Sequence, residues 1–324
     1  VYLFFFYTLV GSLFMLLAIL YLYNKVGSTN YDIILAANLS LEEQTWLWLA
    51  FFLSLATKMP LFPFHVWLPE AHVEAPTAGS VLLAGILLKL GSYGFLRFSL
   101  PFFPDASLYF APLVFTLSIL GIIFASLTAI RQTDFKRIIA YSSVAHMNLV
   151  LMGIFSFNIS GLEGSLLQSL SHGFVASALF FLIGVLYDRY HSRLIIYYGG
   201  LVHMMPLYTI IFLFFTMANI ALPGTSSFIG EFLIISGIFK FNFIAALLGT
   251  TSMILGGCYS LWVYNRISYG NLKIDYISSF KDISFREFNI LFPLVIGSLV
   301  LGLYPNSVLD FVHTWCFSTF SLFI

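Results

Sequence analysis

Repeated runs of about twenty apolar residues are the feature that most restricts the fold of this chain. A run of that length is what a helix needs to cross a bilayer. Only 9% of the residues are charged, whereas a soluble domain carries about 25%. The sequence therefore predicts an all-α, polytopic membrane protein with about nine transmembrane helices. The predicted spans are 1–23, 46–69, 75–97, 108–130, 134–156, 161–187, 203–239, 242–265 and 287–304.

Two of the predicted spans contain prolines near their middle. The second span is interrupted at Pro60 and Pro63, and the seventh is interrupted around Pro223 and Gly224. A proline inside a helix removes a hydrogen bond and clashes with the preceding turn. In a membrane this is tolerated only where protein or a wet cavity satisfies the freed backbone. Two broken helices in one chain are typical of transporters that hold an ion site at the breaks.

Five ionisable residues lie near the centres of five predicted spans: Lys58, Lys89, His146, His172 and Glu231. A charged side chain at mid-bilayer depth costs about 2.5–3.5 kcal/mol on insertion scales, so such residues face the protein interior and usually carry function. Burial disfavours the charged form of lysine and glutamate, and histidine titrates near neutrality, so all three types can exchange protons. The five residues therefore predict a proton relay. The alternative is structural, with hydrogen-bonded core histidines and an ion pair that only joins helices.

Other polar residues have a simpler interpretation. His65, Glu70, His72 and Glu74 follow the first break, where a solvated loop and helix cap is favoured over a role in proton uptake. Most Lys and Arg of the connecting loops fall on one side of the membrane, which places residue 1 on the inner side by the positive-inside rule. The apolar C-terminal stretch, 306–324, predicts a short helix on the outer surface.

Several classes of function are disfavoured by the sequence. The formal net charge is zero, and the chain contains no glycine-rich phosphate-binding loop, so we expect no nucleic-acid or nucleotide partner. Cys258 and Cys316 are far apart and lack the spacing of a metal site. We therefore expect neither a metal nor another cofactor in this chain.

Four segments carry a resemblance to a known family. The first segment begins at Lys58 and resembles the antiporter-like membrane subunits of respiratory complex I; it reads KMPLFPFHVWLPEAHVEAPTAGSVLLAGILLKLGSYG. Three later segments match the same subunits in the same order: RQTDFKRIIAYSSVAHMNLV, LSHGFVASALFFLIGVLYDRYHSR and NIALPGTSSFIGEFLI. The similarity runs from Val1 to about Pro305 and is nearer to the subunit 4 family of NADH dehydrogenase than to its paralogues, subunits 2 and 5.

The resemblance implies a fourteen-helix fold with two inverted five-helix repeats, each containing a broken helix. Residues 1–100 would form the last three helices of the first repeat, and 101–266 the complete second repeat. Residues 267–324 would form the final transmembrane helix and the surface helix. Lys58 would be the lysine of the first broken helix and Lys89 the central lysine. His146 and His172 would continue the relay to Glu231 on the second broken helix.

The function implied is that of a proton-translocating subunit of NADH:ubiquinone oxidoreductase. NADH, FMN, iron–sulfur clusters and ubiquinone would bind in other subunits, and this chain would have no redox active site. Its partners would be other membrane-arm subunits, including the antiporter-like paralogues, and membrane lipids. The location would be the mitochondrial inner membrane, or the plasma membrane of a prokaryote. The alternatives are a subunit of a multi-subunit cation/proton antiporter or of a membrane-bound hydrogenase, or a scaffold without conduction.

The sequence departs from the family pattern at its beginning. In the family a glutamate on the fifth helix pairs with the lysine at the position of Lys58. The chain begins at Val1, at a place that corresponds to the sixth helix. We therefore expect a separate polypeptide to supply the first five helices together with that glutamate; the alternative is that they belong to the same open reading frame as this chain.

Overall fold

The computed structural model describes residues 2–273, 281–321 and 323, and these residues are almost entirely helical. Across those ranges the strand-like pairing consists of one isolated bridge between Asp134 and Leu194. The helices are α1 (Tyr2–Val26), α2 (Tyr31–Leu35), α3 (Leu41–Lys58), α4 (Trp67–Glu74), α5 (Thr77–Phe102), α6 (Pro104–Arg131), α7 (Phe135–Ile154), α8 (Ile159–Tyr190), α9 (Leu201–Met204), α10 (Pro206–Asn219), α11 (Ser226–Phe241), α12 (Phe243–Ser268), α13 (Phe285–Leu303) and α14 (Asn306–Phe320).

Within the described ranges, seven helices are long and apolar enough to cross a bilayer. They are α1, α5, α6, α7, α8, α12 and α13. The predicted count of about nine spans, two of them interrupted by prolines, is therefore not confirmed as an exact number. The other two predicted spans are the proline-containing ones, and each is divided into two shorter helices, α3 with α4 and α10 with α11. The all-α membrane fold and both predicted breaks are present.

Helix α5 is not a regular α-helix along its whole length. It contains two π-helical turns, at Leu83–Leu87 and Phe95–Ser99. Such wide turns are rare and frequently occur at functional sites. Lys89 lies between the two turns, two residues after the end of the first.

Polar side chains define where several helices begin. Ser40 and Glu43 form a capping box at the start of α3, which satisfies backbone donors that have no partner inside the helix. Glu43 also accepts hydrogen bonds from Lys25 and, at 2.8 Å, from the hydroxyl of Tyr21. The cap of α3 therefore also holds α1 in place.

Glycines bring α8 and α11 into direct backbone contact. A Cβ built on Gly164 would lie 2.7 Å from the backbone nitrogen of Ile234, and one on Gly237 would lie 2.7 Å from the Cα of Gly161. Small residues at a helix interface allow this close approach in membrane proteins. The same approach sets the distance between polar side chains that α8 and α11 carry farther along.

Cationic side chains bind the carboxyl end of α4. The Nζ of Lys136 donates to the carbonyl of Ala75 at 2.8 Å, and Arg193 donates to the carbonyl of Val73. Arg137 forms an ion pair with Glu70 at 3.0 Å. Cations at a helix C-terminus satisfy free carbonyl groups and complement the helix dipole. The sequence had suggested that Glu70 is only solvated. In the structure Glu70 is paired with a protein side chain.

The predicted C-terminal helix is present as α14, which has 15 residues. This is shorter than the roughly 20 residues that a crossing needs. His313 on α14 contacts the carboxylate of Glu163 on α8, and this contact fixes the helix to the bundle. Its placement on the outer membrane surface stays a prediction.

Candidate functional site

Lys89 is the first residue of a buried polar series. Its Nζ lies 2.8 Å from Nδ1 of His172 and also donates to the carbonyl of Ala84. In the π turn the backbone N–H of Leu88 reaches the carbonyl of Leu83, five residues back, so the Ala84 carbonyl is available to the lysine. Across the described part of the chain no carboxylate pairs with Lys89. The ammonium is therefore held by neutral acceptors.

Two histidines continue the series toward α11. The rings of His172 and His146 have centroids 5.7 Å apart, and both residues are buried. Nδ1 of His146 lies 3.1 Å from Oε1 of Glu231, but neither ring nitrogen of His146 has the geometry of a hydrogen bond to any partner. The histidines thus connect Lys89 to the carboxylate through van der Waals and polar contact.

Glu231 is the other end of the series and is only 2% exposed. Its Oε1 accepts a hydrogen bond from Nε2 of Gln168 at 3.1 Å, and Oε1 of Gln168 accepts one from Ser171 at 3.1 Å. Gln168 was not among the predicted site residues. It lies four residues before His172 on α8, so the two share a helix face. This spacing was the signal in the sequence that could have identified it.

Lys58 lies outside the series. It is the last residue of α3 and is partly buried, and in the ranges that the structure describes no ion pair or hydrogen bond joins it to another side chain. The structure brings together Lys89, His172, His146 and Glu231. It leaves Lys58 at the first break, beside Met59, where Gly91 of α5 packs closely.

The first break has its freed backbone carbonyls satisfied by neighbouring side chains. Nε1 of Trp67 donates to the carbonyl of Thr57 at 2.9 Å, and Nδ2 of Asn148 donates to the carbonyl of Pro60 at 3.2 Å. Asn148 comes from α7, which also packs against α4. These bonds meet the requirement that non-helical backbone at membrane depth be satisfied by protein.

The second break uses side chains from its own chain segment. The hydroxyl of Ser227 donates to the carbonyl of Ala218, and that of Thr225 donates to the carbonyl of Leu222 at 2.7 Å. Gly224 has a φ of +98°, a conformation that favours glycine. Gly302 of α13 packs on this turn so closely that a Cβ there would overlap the carbonyl of Gly224.

His72 is a buried ionisable residue that the sequence interpretation placed in a solvated loop, and this placement is wrong. Its side chain is 0% exposed and stacks on Phe180 with ring centroids 4.4 Å apart. Neither ring nitrogen has a hydrogen-bond partner in the described residues. Lys89 and Lys136 both act on the ring electrostatically. The His72 ring thus lies within the electrostatic influence of both the central lysine and a cation that binds the end of α4.

The chemistry that this arrangement supports is proton transfer. Lysine, histidine and glutamate side chains are in contact and shielded from water, and each can bind and release a proton. Among the residues that the structure describes, no group of three His, Cys, Asp or Glu side chains is arranged to hold a metal ion.

The interrupted helices and the buried ionisable series define a membrane protein built on the plan of a transporter. Residues 2–256 match the family described as NADH:quinone oxidoreductase/Mrp antiporter, transmembrane. The chain belongs to this family.

Similar proteins agree with the resemblance seen in the sequence. NADH-ubiquinone oxidoreductase chain 4 of Marchantia polymorpha is 58% identical over 313 residues, which are 97% of this chain and 63% of that protein. The chain 4 protein of Chondrus crispus is 59% identical over 312 residues, 96% of this chain and 63% of that protein. The chain thus spans 63% of the length of these curated relatives. The predicted resemblance to subunit 4 is confirmed.

A solved structure has the same fold. A chain of respiratory complex I from Thermus thermophilus with bound NADH superposes with a TM-score of 0.93 at 31% sequence identity. The match covers 100% of this chain and 69% of that chain. The antiporter-like fold predicted from the sequence is therefore confirmed.

Proposed function

We propose that this chain is part of a proton-translocating membrane-arm subunit of respiratory complex I, the NADH:ubiquinone oxidoreductase. The observation that carries the proposal is the buried contact series from Lys89 through His172 and His146 to Glu231. Redox chemistry in other subunits would supply the driving force. NADH, FMN, iron–sulfur clusters and ubiquinone would bind there, and the residues of this chain would bind and transfer protons only.

The contacts of the series suggest how a proton would move along it. Lys89 is held by a backbone carbonyl and an imidazole, so it can give a proton to His172 without breaking an ion pair. Rotation of the rings, or a water molecule between them, would carry the proton to His146. Glu231 would then accept it at a carboxylate oxygen 3.1 Å from the His146 ring. The amide of Gln168 stabilises the charged carboxylate by a hydrogen bond.

Lys58 would be the start of a second segment of the relay. It has no charged partner in the part of the chain that the structure describes. The face of α1 that points away from the helix bundle is apolar and exposed. We propose that a carboxylate from a separate polypeptide packs against α1 and α3 and pairs with Lys58. Other membrane-arm subunits, including antiporter-like paralogues, would cover further apolar faces.

The division of the chain and its location follow from the same proposal. Residues 1–100 would belong to the first repeat, 101–266 would form the second repeat, and 267–324 would add a final crossing and a surface helix. The positions of the two breaks, one in each proposed repeat, support this division. The relatives named above are eukaryotic proteins, which supports the mitochondrial inner membrane as the location.

The proposal is tested by substituting the central lysine. Lys89→Met in the assembled complex should lower proton uptake into membrane vesicles at least about tenfold, because general acid–base groups contribute effects of that size or more. Lys240→Met, at an exposed lysine near the end of α11, is the matched control and should leave uptake unchanged. Normal pumping by Lys89→Met would contradict the proposal and favour a scaffold.

A second measurement separates the proposal from a cation/proton antiporter or membrane-bound hydrogenase, since the family includes Mrp antiporters. The chain should co-purify with NADH-oxidising activity, and its proton uptake should stop when a quinone-site inhibitor blocks that activity. Proton uptake that instead depends on a sodium gradient would favour the antiporter.

A further inference from the structure

Two cavities lie end to end between α5, α8 and α13. One, of 320 Å³, opens near the inner ends of these helices, and the other, of 520 Å³, reaches Lys89. On each helix a lining residue of the first cavity is four residues from a lining residue of the second, which is about one turn. These pairs are Thr77 and Val81, Phe181 and Ser177, and Ile290 and Leu294. The two cavities therefore form one groove.

The groove has α8 as its floor and α5 and α13 as its walls. Glycines hold both walls on the floor: a Cβ on Gly184 would lie 2.6 Å from Thr77, and one on Gly297 would lie 3.3 Å from Phe174. Lys89 is twelve residues after Thr77 along this wall, which is about 18 Å at 1.5 Å per residue. Half the hydrocarbon core of a bilayer is about 15 Å. The groove is thus as long as one leaflet is deep.

The mouth of the groove is polar and the rest is apolar. Asp188 and Arg286 line the mouth, both are exposed, and among the described residues neither forms an ion pair. Glu287 also lines it but is neutralised by Arg189 at 2.8 Å. The mouth therefore offers one carboxylate and one guanidinium with no net charge. Deeper in the groove the wall of α5 presents exposed aliphatic side chains such as Ile86, which is 59% exposed.

We propose that this groove binds one zwitterionic phospholipid of the phosphatidylethanolamine type. The phosphate would lie against Arg286, whose guanidinium matches phosphate geometry, and the ammonium would donate to Asp188. One acyl chain would follow α8 and end beside Lys89, with burial of its apolar surface as the main driving force. Anionic lipids without an ammonium group, such as phosphatidylglycerol and cardiolipin, fit less well, because their headgroups have no cation to place against Asp188.

The acyl chain would cover the bilayer-facing side of the central lysine. Gly85 and Gly173 leave the stem of Lys89 accessible from the groove, since the Lys89 Cε is only 3.7 Å from a Cβ built on Gly173. A hydrocarbon chain there excludes water, so Lys89 exchanges protons with members of the relay and not with water from the groove. This consequence for pumping rests on the proposed function, whereas binding of the lipid does not.

The test uses the assembled complex and phosphatidylethanolamine that carries a photoreactive diazirine at the end of one acyl chain. After illumination and proteolysis, the label should appear on peptides that contain 85–93 and 169–174. Arg286→Glu should lower labelling about tenfold, the loss expected for one charge-assisted contact. Ile86→Trp, which fills the groove, should lower it similarly. Leu87→Trp, at an exposed neighbour that does not line the groove, is the matched control and should label normally.

Several outcomes would overturn the proposal. Absence of label from these peptides would show that another subunit or solvent occupies the groove. Displacement of the probe by cardiolipin at lower concentration than by unlabelled phosphatidylethanolamine would contradict the charge argument. Pumping abolished by Ile86→Trp with labelling unchanged would indicate a water channel instead. Lys89→Met should lose pumping yet keep the label, so failure of the lipid site and failure of the proton relay are separate results.

Discussion

At both helix breaks, side chains donate hydrogen bonds to backbone carbonyls that have lost their helical partners. The two breaks differ in how their charged residues are paired. At the first break Trp67 and Asn148 donate to freed carbonyls, and at the second Thr225 and Ser227 do so. In both, hydroxyl, amide or indole groups replace the missing helical hydrogen bonds. The backbone of each break is therefore satisfied by the described residues themselves.

The charges near the two breaks are not equally satisfied. Glu231 is buried, hydrogen-bonded by Gln168 and close to His146, whereas Lys58 is partly buried and unpaired among the described side chains. The comparison shows that a break can have its backbone hydrogen bonds satisfied while the ionisable residue beside it has no partner in the described residues. Packing within the chain gives Glu231 its partners at the second break, whereas Lys58 at the first break has no charged partner among the described residues.

The largest expected effect is at the second break. Glu231→Gln keeps the size of the side chain and the contact with Gln168 but removes the titratable group, so proton uptake by the assembled complex should fall at least about tenfold. Glu42→Gln, at an exposed glutamate in the first turn of α3, is the matched control. Uptake that is equal in the two variants would remove Glu231 from the relay.

Lys58→Met tests the first break and should have a smaller effect on pumping, about two- to tenfold, because the residue lies outside the contact series. Its effect on the free energy of unfolding should be within about 0.5 kcal/mol, since no described partner loses a bond. Chemical crosslinking from a cysteine placed at position 58 should capture a carboxylate-bearing polypeptide. A loss of unfolding free energy above 2 kcal/mol without any crosslink would show that Lys58 has a partner within this chain, and the proposed difference between the two breaks would be wrong.

Gly302→Ala and Gly91→Ala compare how tightly helices pack on the two breaks. The new methyl group at 302 would overlap the Gly224 carbonyl, and the one at 91 would lie 2.8 Å from the nitrogen of Met59. Overpacking of this kind costs about 1–3 kcal/mol, and we expect the larger loss at Gly302. Thermal unfolding in detergent measures it. Gly257→Ala in α12, with its nearest neighbour at 3.9 Å, should be neutral or stabilising.

The smallest effects concern the hydrogen bonds at the breaks. Asn148→Ala leaves the carbonyl of Pro60 without its donor and should cost about 1–3 kcal/mol of unfolding free energy. Ser227→Ala should cost about 0.5–1.5 kcal/mol, the range of one ordinary hydrogen bond. Denaturant unfolding of the two variants compares them directly. We thus expect the larger loss of unfolding free energy at the first break. A larger loss for Ser227→Ala than for Asn148→Ala would contradict that expectation.

The sequence predicted those features that depend on local chemistry. Prolines mark both breaks because a proline disrupts its own helix wherever it lies. The four residues of the contact series were predicted because each lies near the centre of an apolar run. The exact count of spans was not confirmed, since each of the two interrupted spans is divided into two helices.

Features that depend on distant contacts could not be predicted. The burial of His72 results from stacking on Phe180, more than one hundred residues later in the chain. Gln168 reaches Glu231 only because glycines on α8 and α11 let their backbones approach. The spacing of Gln168 from His172 indicates a shared helix face, but nothing in the nearby residues indicates which distant partner either Gln168 or His72 contacts. The division into two repeats stays a prediction as well.

The π-helical turn before Lys89 has a consequence for the angular position of that residue. Successive residues of an α-helix are rotated by about 100° around its axis. If Leu83–Leu87 were rewound into regular helix with no residue removed, Lys89 would be turned by about that angle and would face away from His172. Removing one residue from the same turn would instead preserve its orientation. The alignment of the Lys89 ammonium with the His172 imidazole thus depends on the winding of the main chain. A change between π and α winding would rotate Lys89 toward or away from His172.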